Sequence, residues 1–319
     1  MKMNMDLLEA GDLFSLLFPI NSLFSDFKEN RLLNKPKYIN VRGALIDLSV
    51  PKVMGIINVT PDSFYKGSRA VGEKEIVSAA VKMTEDGADI LDIGGYSSRP
   101  HADEISAEDE KKRVLNAIRL INRELPDAIL SIDTFRAEIA EEAVSDYGAH
   151  IINDISGGEA DTDMFRVVTK LNVPYIMMHM QGTPKTMQDN PVYDDVVADI
   201  LKWFSKKIVT LQSAGVKDII LDPGIGFGKS SAHNFEMLRR LGDFAVAGLP
   251  LLIGVSRKSM IWKTLKITPD EALNGTTVLN TVALLGGADI LRVHDVKEAV
   301  QAISLINEMK VINEERKQL

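Results

Sequence analysis

The stretch Gly87-Ala88-Asp89-Ile90-Leu91-Asp92 decides the fold, because its pattern recurs twice more along the chain. Gly148 to Asn153 and Gly287 to Arg292 share its frame. In each copy a glycine closes a helical pattern, a short apolar run follows, and a polar residue ends that run. Each copy therefore predicts a helix, a turn and a buried strand, which is the repeating unit of a parallel α/β sheet.

Outward from these copies, eight short apolar runs alternate with segments of helical periodicity. The predicted strands are Val53 to Val59, Asp89 to Ile93, Ala128 to Asp133, Ile151 to Ile155, Pro174 to His179, Ile219 to Asp222, Leu251 to Val255 and Ile290 to His294. Eight is the number of parallel strands that closes on a packed interior, so the sequence predicts an α/β fold of the (β/α)8 TIM-barrel type. Tyr38 to Val50 alternates like a β-hairpin, which we expect to plug the lower end of the barrel.

The predicted domain organisation is an N-terminal extension over residues 1–36 and a single barrel domain over residues 37–319. The extension contains an apolar run that Asp6, Glu9 and Asp12 interrupt, which is not the pattern of a signal peptide. An amphipathic segment and a disordered tail both fit it.

Composition excludes several classes of function. The chain has 319 residues, 37 of them basic and 45 acidic, for a formal net charge of -8. This balance disfavours binding to nucleic acid or to an anionic membrane. The chain has no cysteine, so disulfides, thiolate nucleophiles and cysteine-ligated metals are excluded. We expect a cytoplasmic protein, and no run reaches the roughly 18 apolar residues that a membrane span needs.

Polar side chains end most of the predicted strands. They are Asn58, Asp92, Asp133, Asn153, His179, Asp222, Arg292 and His294. A polar residue commonly ends a strand, so one such residue alone says little. In a barrel, however, all of them meet at one mouth, where barrel enzymes carry their chemistry. Buried carboxylates need hydrogen-bond donors, and a ligand edge with N–H groups would supply them.

A second group of charged residues follows the seventh and eighth strands. Ser256-Arg257-Lys258 comes directly after the seventh, and Arg292 and His294 end the eighth. The loops after these two strands are the common phosphate site of the fold.

Gly224 to Ser230 is glycine-rich but is not a P-loop, because Pro223 stands where that motif needs its first glycine. We interpret it as a turn that brings backbone close to a ligand beside Asp222.

The loop sequences, taken in order, resemble the dihydropteroate synthase family. The matching segments are 58–64, 94–100, 132–134, 153–154, 179–184, 221–224, 256–258 and 292–295, and the likeness spans roughly residues 38 to 310. The resemblance implies transfer of a dihydropterinylmethyl group from 6-hydroxymethyl-7,8-dihydropterin diphosphate to p-aminobenzoate. The products would be 7,8-dihydropteroate and pyrophosphate, in folate biosynthesis, and sulfonamides mimic p-aminobenzoate in this family.

The resemblance also implies a set of site residues. Asp62, Arg99, Asp133 and Lys258 would be catalytic. The substrates would contact Asn58, Ser98, Pro100, Asp133, Asn153, Met177, Asp222, Gly226, Phe227, Ser256, Arg257, Lys258, Arg292 and His294. The implied cofactor is Mg2+ with Asn58 as its protein ligand, and the implied assembly is a homodimer formed through the last helices.

The sequence departs from the family pattern at Tyr96, where an acidic residue is common, and at His101, where glycine is common. Two other functions stay open at this point. A pterin-binding methyltransferase would keep Asp133, Asn153 and Asp222 but has no use for a diphosphate. A pterin-binding protein without catalysis would bind ligand without turnover.

Overall fold

The structure is a computed structural model that describes residues 37–60, 69–96, 105–183 and 185–315. Several predicted features lie outside these ranges: the extension 1–36, Asp62, Ser98, Arg99, Pro100 and His101. In the described part of the chain, no helix has both the length and the apolar character required to cross a membrane.

Ten strands are described. They are β1 (Tyr38–Val41), β2 (Ala44–Asp47), β3 (Lys52–Asn58), β4 (Ile90–Gly94), β5 (Ile129–Asp133), β6 (Ile151–Asp154), β7 (Tyr175–Met178), β8 (Ile219–Asp222), β9 (Leu252–Ile253) and β10 (Ile290–Val293). The eight strands from β3 to β10 fall where the sequence predicted them, so that prediction is confirmed.

Helices alternate with these eight strands. They are α1 (Arg69–Glu85), α2 (Ala107–Glu124), α3 (Ala137–Ser145), α4 (Met164–Leu171), α5 (Val196–Ser213), α6 (Ser231–Arg239), α7 (Ser259–Leu265), α8 (Leu273–Leu285) and α9 (Val296–Glu315). Two 3₁₀ turns, Leu241–Ala247 and Asp270–Ala272, add to the connections before β9 and α8.

The parallel strands form a closed ring. Their order is β8-β7-β6-β5-β4-β3-β10-β9. A parallel bridge between Leu221 and Leu251 joins the two ends, and the Leu221 N–H donates to the Pro250 carbonyl over 2.8 Å. The (β/α)8 TIM barrel predicted from the sequence is therefore confirmed.

Alternation along the strands separates two apolar cores. Outward-facing residues such as Val53, Leu91 and Ile132 pack with helix residues such as Ile76 and Ile118. Inward-facing apolar residues at the lower end form a separate cluster. Its barrel members are Met54, Ile90, Ile151, Ile176, Ile220, Leu252 and Ile290, and the partly buried Ile129 of β5 packs against them. Every strand thus contributes to both sides of the ring.

The predicted hairpin is β1 paired with β2 in antiparallel register. Arg42 (φ 56°) and Gly43 (φ 81°) make its two-residue turn, in the left-handed region that such turns require. Ile39 and Val41 pack on the inner cluster at the lower end. The Lys37 ammonium lies 2.6 Å from the Asp289 carboxylate and ties the chain before the hairpin to the barrel. The hairpin therefore closes the lower end, as predicted.

Candidate active site

Above the lower apolar cluster, the inward-facing positions become polar. Because β3 to β10 are parallel, their carboxyl ends meet at one edge of the ring, which is the mouth. The residues that face inward there are Asn58, Asp92, Ser131, Asp133, Asn153, Asp222, Arg292 and His294. The structure thus brings seven of the eight predicted strand ends to the mouth and adds Ser131. His179 does not join them, because it faces away from the barrel interior: its ring lies 5.0 Å from the Trp203 ring, and its Nδ1 lies 3.0 Å from Lys229 Nζ.

Arg292 is the centre of the first polar network. Its Nε donates to Asp92 Oδ2 over 2.7 Å, and its Nη2 donates to Asp133 Oδ2 over 2.5 Å. Asn153 Nδ2 donates to the same Asp92 oxygen over 3.0 Å. Burial lowers the pKa of Arg292, but Asp92 and Asp133 outweigh burial and hold the pKa above its ordinary value. The guanidinium is therefore a permanent cation in the floor of the mouth.

Asp133 carries a carboxyl group that is costly to ionise. Burial raises its pKa to about 7, against the opposing effect of Arg292, and Asp92 adds a further increase. A positive charge on a bound ligand would favour the ionised form. Asp133 is thus suited to stabilise a cation that develops during a reaction.

Two buried polar atoms in this layer have no hydrogen-bond partner within the described residues. They are Asp92 Oδ1 and Ser131 Oγ, on neighbouring strands that pair at these two positions. A buried polar atom without a partner costs free energy in an apolar setting. Both atoms face the interior of the barrel, where a ligand with N–H groups can satisfy them.

Asp222 and Lys258 belong to a second group of charged side chains at the mouth, and each influences the pKa of the other. Asp222 Oδ1 accepts a hydrogen bond from the Gly224 N–H over 2.7 Å. Lys258 Nζ donates to the Ile225 carbonyl and lies 4.6 Å from the centre of the Phe227 ring. Burial lowers the pKa of Lys258 to about 8, although Asp222 acts to raise it. Burial also raises the pKa of Asp222, while Lys258 opposes that shift.

The glycine-rich turn after β8 brings backbone into the mouth. Gly224, Gly226 and Gly228 all have positive φ, at 71°, 84° and 60°. A side chain on Gly226 would place its Cβ 3.0 Å from Lys258 Cδ. The turn therefore takes this path because glycine leaves room beside the lysine.

Ser256 and Arg257 have different surroundings. Ser256 Oγ lies 2.9 Å from His294 Nδ1 and accepts from the His294 N–H over 3.2 Å. The Arg257 guanidinium pairs with Asp295 over 2.8 and 2.9 Å and also donates to the carbonyls of Pro269 and Asp270. Its side chain is thus engaged by the loop, whereas Ser256 and His294 stand together at the mouth.

Met177 and its neighbour Met178 face opposite sides of β7. Met177 belongs to the core between the barrel and the helices. Met178 packs with Ile155 and Met180 in a small cluster at the mouth, and Phe227 packs against that cluster. The methionine that faces the predicted pocket is therefore Met178, one residue after the position expected from the sequence.

The sequence prediction missed two residues of this region. Asp92 was noted as a strand end but was not assigned to the site, although it joins Arg292 to Asn153. Its signal was present, because Asp92, Asn153 and Arg292 are the sixth residues of the three repeated stretches. Lys229, whose ammonium is buried behind the turn after β8, had no such signal.

These features define a barrel enzyme with two clusters of charged groups at its mouth. The model of the pterin-binding enzyme family matches residues 54–294, and the chain belongs to that family. Within it, the chain falls among the dihydropteroate synthases. It is 43% identical to dihydropteroate synthase of Escherichia coli K12 over 267 residues, which is 83% of this chain and 94% of the relative.

Solved structures of dihydropteroate synthases are also similar to this chain. The sulfonamide complex of Yersinia pestis dihydropteroate synthase superposes with a TM-score of 0.80 and 39% identity, covering 86% of this chain and 99% of the other. The Xanthomonas albilineans enzyme was solved with 4-aminobenzoic acid (TM-score 0.79, 35% identity) and with 7,8-dihydropteroate (TM-score 0.76, 34% identity). Each covers 86% of this chain, and the chain covers 99% and 98% of them.

Proposed function

We propose that this chain catalyses the dihydropteroate synthase reaction. The amine of p-aminobenzoate displaces pyrophosphate from 6-hydroxymethyl-7,8-dihydropterin diphosphate, and 7,8-dihydropteroate forms. The observation that carries the proposal is that Asn153, Asp222, Lys258 and Arg292 lie at the same mouth of the barrel. The relatives solved with 4-aminobenzoic acid and with 7,8-dihydropteroate support it.

The deeper polar layer suits the pterin ring. A carboxylate can accept two adjacent N–H groups of the ring, which is the role we assign to Asp222. Asn153 offers both a donor and an acceptor to the mixed edge of the ring, and Lys258 would donate to the ring oxygen and a neighbouring nitrogen. Arg292 would stack on the face of the ring, since a planar guanidinium stacks well on aromatic surfaces. Met178, Phe227 and Gly226 would line the remaining sides.

The chemical step needs no protein nucleophile. The C–O bond to the diphosphate breaks, and its electron pair leaves with pyrophosphate. The positive charge at the exocyclic methylene spreads into the ring, where the Asp133 carboxylate stabilises it. The arylamine nitrogen then attacks the methylene and releases a proton. Asp62 and Arg99, on the loops after β3 and β4, are proposed to cover this step and exclude water.

Asn58, Arg292 and His294 are proposed to hold the diphosphate. Within residues 37–60, 69–96, 105–183 and 185–315, no group of three or more histidines and carboxylates could hold a metal ion. Mg2+ commonly keeps several waters and binds through one or two protein oxygens plus substrate phosphates, so the Asn58 amide oxygen fits as a single protein ligand. When bound, Mg2+ would neutralise charge on the departing diphosphate.

The second substrate would lie nearer the solvent. Ser256 is proposed to bind the p-aminobenzoate carboxylate, and Arg257 to shape the same end of the pocket, because Asp295 engages its guanidinium. Phe227, Ser98 and Pro100 would contact the aryl ring. We further propose that residues 37–319 form one domain. We also propose that the protein works in the cytoplasm, a compartment that does not require disulfide bonds for stability, since the chain has no cysteine.

A homodimer through α8 and α9 is also proposed. Both helices expose apolar side chains on adjacent surfaces: Val278, Val282 and Leu285 on α8, and Leu305 on α9. Exposed apolar patches of this kind mark protein interfaces. Light scattering of the wild type should give twice the monomer mass, and Leu305→Asp should shift the protein toward monomer.

The activity test mixes purified protein with dihydropterin diphosphate, p-aminobenzoate and Mg2+, and measures dihydropteroate and pyrophosphate. We expect both products in equal amounts, and a loss of turnover with EDTA that added Mg2+ restores. Pterin binding without product would instead favour a binding protein. Turnover of a methylated pterin without pyrophosphate would favour a methyltransferase.

A further inference from the structure

Lys229 is a buried cation that the proposed reaction does not use. Its residue is 2% exposed, at the end of the glycine-rich turn after β8. The ammonium lies 3.0 Å from His179 Nδ1, and it donates to the His179 carbonyl over 3.2 Å and to the Phe227 carbonyl over 2.8 Å. An ammonium has three donors, and these three acceptors match them.

These contacts join two loops at the mouth. A Cβ on Gly224 would lie 1.9 Å from the His179 carbonyl oxygen, and a Cβ on Gly228 would lie 2.6 Å from the Gln181 carbonyl oxygen. The turn after β8 and the start of the loop after β7 therefore touch backbone to backbone. Lys229 supplies the donors between them, and one of its acceptors belongs to Phe227, whose ring packs against Lys258.

The charge of Lys229 acts on the pterin-facing carboxylate. Burial lowers the pKa of Lys229 to about 7. Asp222 opposes this shift, and Lys258 adds to it. His179 is neutral, since burial lowers its pKa to about 2, with Lys229 and Lys207 acting in the same direction. Burial raises the pKa of Asp222. Lys258, the Gly224 N–H, Arg292 and Lys229 all act to lower it.

We propose that Lys229 is a positioning residue for the pterin site. Its ammonium fixes the turn that carries Phe227, and its positive charge keeps Asp222 in the carboxylate form that accepts two N–H groups. The proposal rests on the proposed function, because it presumes a pterin bound to Asp222. Lys229 is charged below about pH 7, and a charged Lys229 favours the ionised form of Asp222, whose pKa burial raises.

The test is the pH dependence of dihydropterin diphosphate binding, measured by calorimetry between pH 5.5 and 8.5 without p-aminobenzoate. Lys229→Met keeps the apolar length of the side chain and removes the charge. Without that charge the pKa of Asp222 rises, so we expect binding to weaken at a higher pH than in the wild type. Asp133 and Lys258 titrate in both proteins, so the difference between the two curves reports Asp222 together with Lys229, which titrates in the wild type alone.

Tyr193→Phe is the matched control. It removes the 2.8 Å hydrogen bond from the Tyr193 hydroxyl to the Gly228 carbonyl, in the same turn, without changing any charge below pH 9. We call the loss of binding at low pH the acid limb of the curve. We expect the acid limb of Tyr193→Phe to have the same midpoint as that of the wild type. An unshifted limb in Lys229→Met, or an equal shift in Tyr193→Phe, overturns the inference.

Further variants cover the case in which Lys229→Met does not fold. Lys229→Arg keeps the charge and should keep the wild-type acid limb, whereas Lys229→Gln should shift it. Equal limbs in these two variants overturn the inference. Steady-state kinetics separate it from the proposed function. A wild type that makes dihydropteroate while Lys229→Met keeps the wild-type KM for the pterin contradicts this inference alone, and a wild type that binds no pterin contradicts both.

Discussion

The two ends of the barrel interior are built from the same strands with opposite chemistry. On β8, Ile220 faces inward at the lower end and Asp222 faces inward two residues later. On β10 the corresponding residues are Ile290 and Arg292. One period of strand alternation thus separates a sealed apolar plug from a charged cavity. Stability and binding are therefore assigned to different layers of one ring.

The two layers also make opposite contributions to the free energy of folding. Each fully buried Ile or Leu at the lower end contributes about 1.5–3 kcal/mol to folding. At the mouth, burial acts against the charged form of Asp133 and Lys258, as the directions of their pKa shifts show. Buried ion pairs are weak contributors to stability, since desolvation offsets their attraction. The lower layer therefore offsets the cost of keeping charges at the mouth.

The largest effect on turnover is expected from Asp222→Ala. Removing one partner of a buried, charged hydrogen-bond network commonly costs about 2–5 kcal/mol, so kcat/KM for the pterin should fall roughly 30- to 4000-fold. Asp218→Ala is the control from the lower end of the same segment, where the Asp218 carboxylate accepts from the Asn40 N–H. Its turnover should stay within about twofold of the wild type. Equal losses in both variants would erase the distinction between the two ends.

A smaller effect is expected from pH, through Asp133. Its carboxylate stabilises the developing cation, and its pKa is about 7. As pH falls below 7 the carboxyl gains a proton and loses its negative charge, so kcat/KM should drop about tenfold per pH unit. A rate profile from pH 5.5 to 9 measures this. In Asp133→Asn this fall in rate below pH 7 should be lost, because an amide does not titrate, and an unchanged fall would show that another group is responsible.

The smallest effect on turnover is expected from Ile220→Ala at the lower end. The cavity that it leaves should cost about 2–5 kcal/mol of stability, seen as a lower Tm. Turnover at 25 °C should stay within about twofold, because no charged group moves. Val209→Ala, on the exposed face of α5, should change stability by less than about 0.5 kcal/mol. Lost turnover with an unchanged Tm in Ile220→Ala would contradict the separation of layers.

The sequence predicted the ring because its signals are local and repeated. Glycine, apolar run and polar strand end recur with the period of a βα unit, so strand existence and inward direction follow from the chain itself. The same frame contains the network of Asp92, Asn153 and Arg292, which the structure joins by hydrogen bonds. A closer comparison of the three copies could have assigned Asp92 to the site.

Other features depend on contacts between distant segments, which a pattern does not encode. Which of Met177 and Met178 faces the mouth depends on where β7 begins, and a shift of one residue reverses the answer. The engagement of Arg257 by Asp295 joins loops 38 residues apart. Lys229 sits in a glycine-rich turn that looks exposed from its composition, and only the packing of the loop after β7 buries it.

The hairpin at the lower end has a kinetic consequence. Because the lower end of the barrel is closed, substrates and products must all enter and leave through the mouth. A molecule that occupies the floor must come in before one that occupies the rim, and it leaves only after the rim is vacated. Under the proposed assignments, the pterin substrate binds first and p-aminobenzoate second, and an aryl compound at the rim slows escape of whatever lies beneath it.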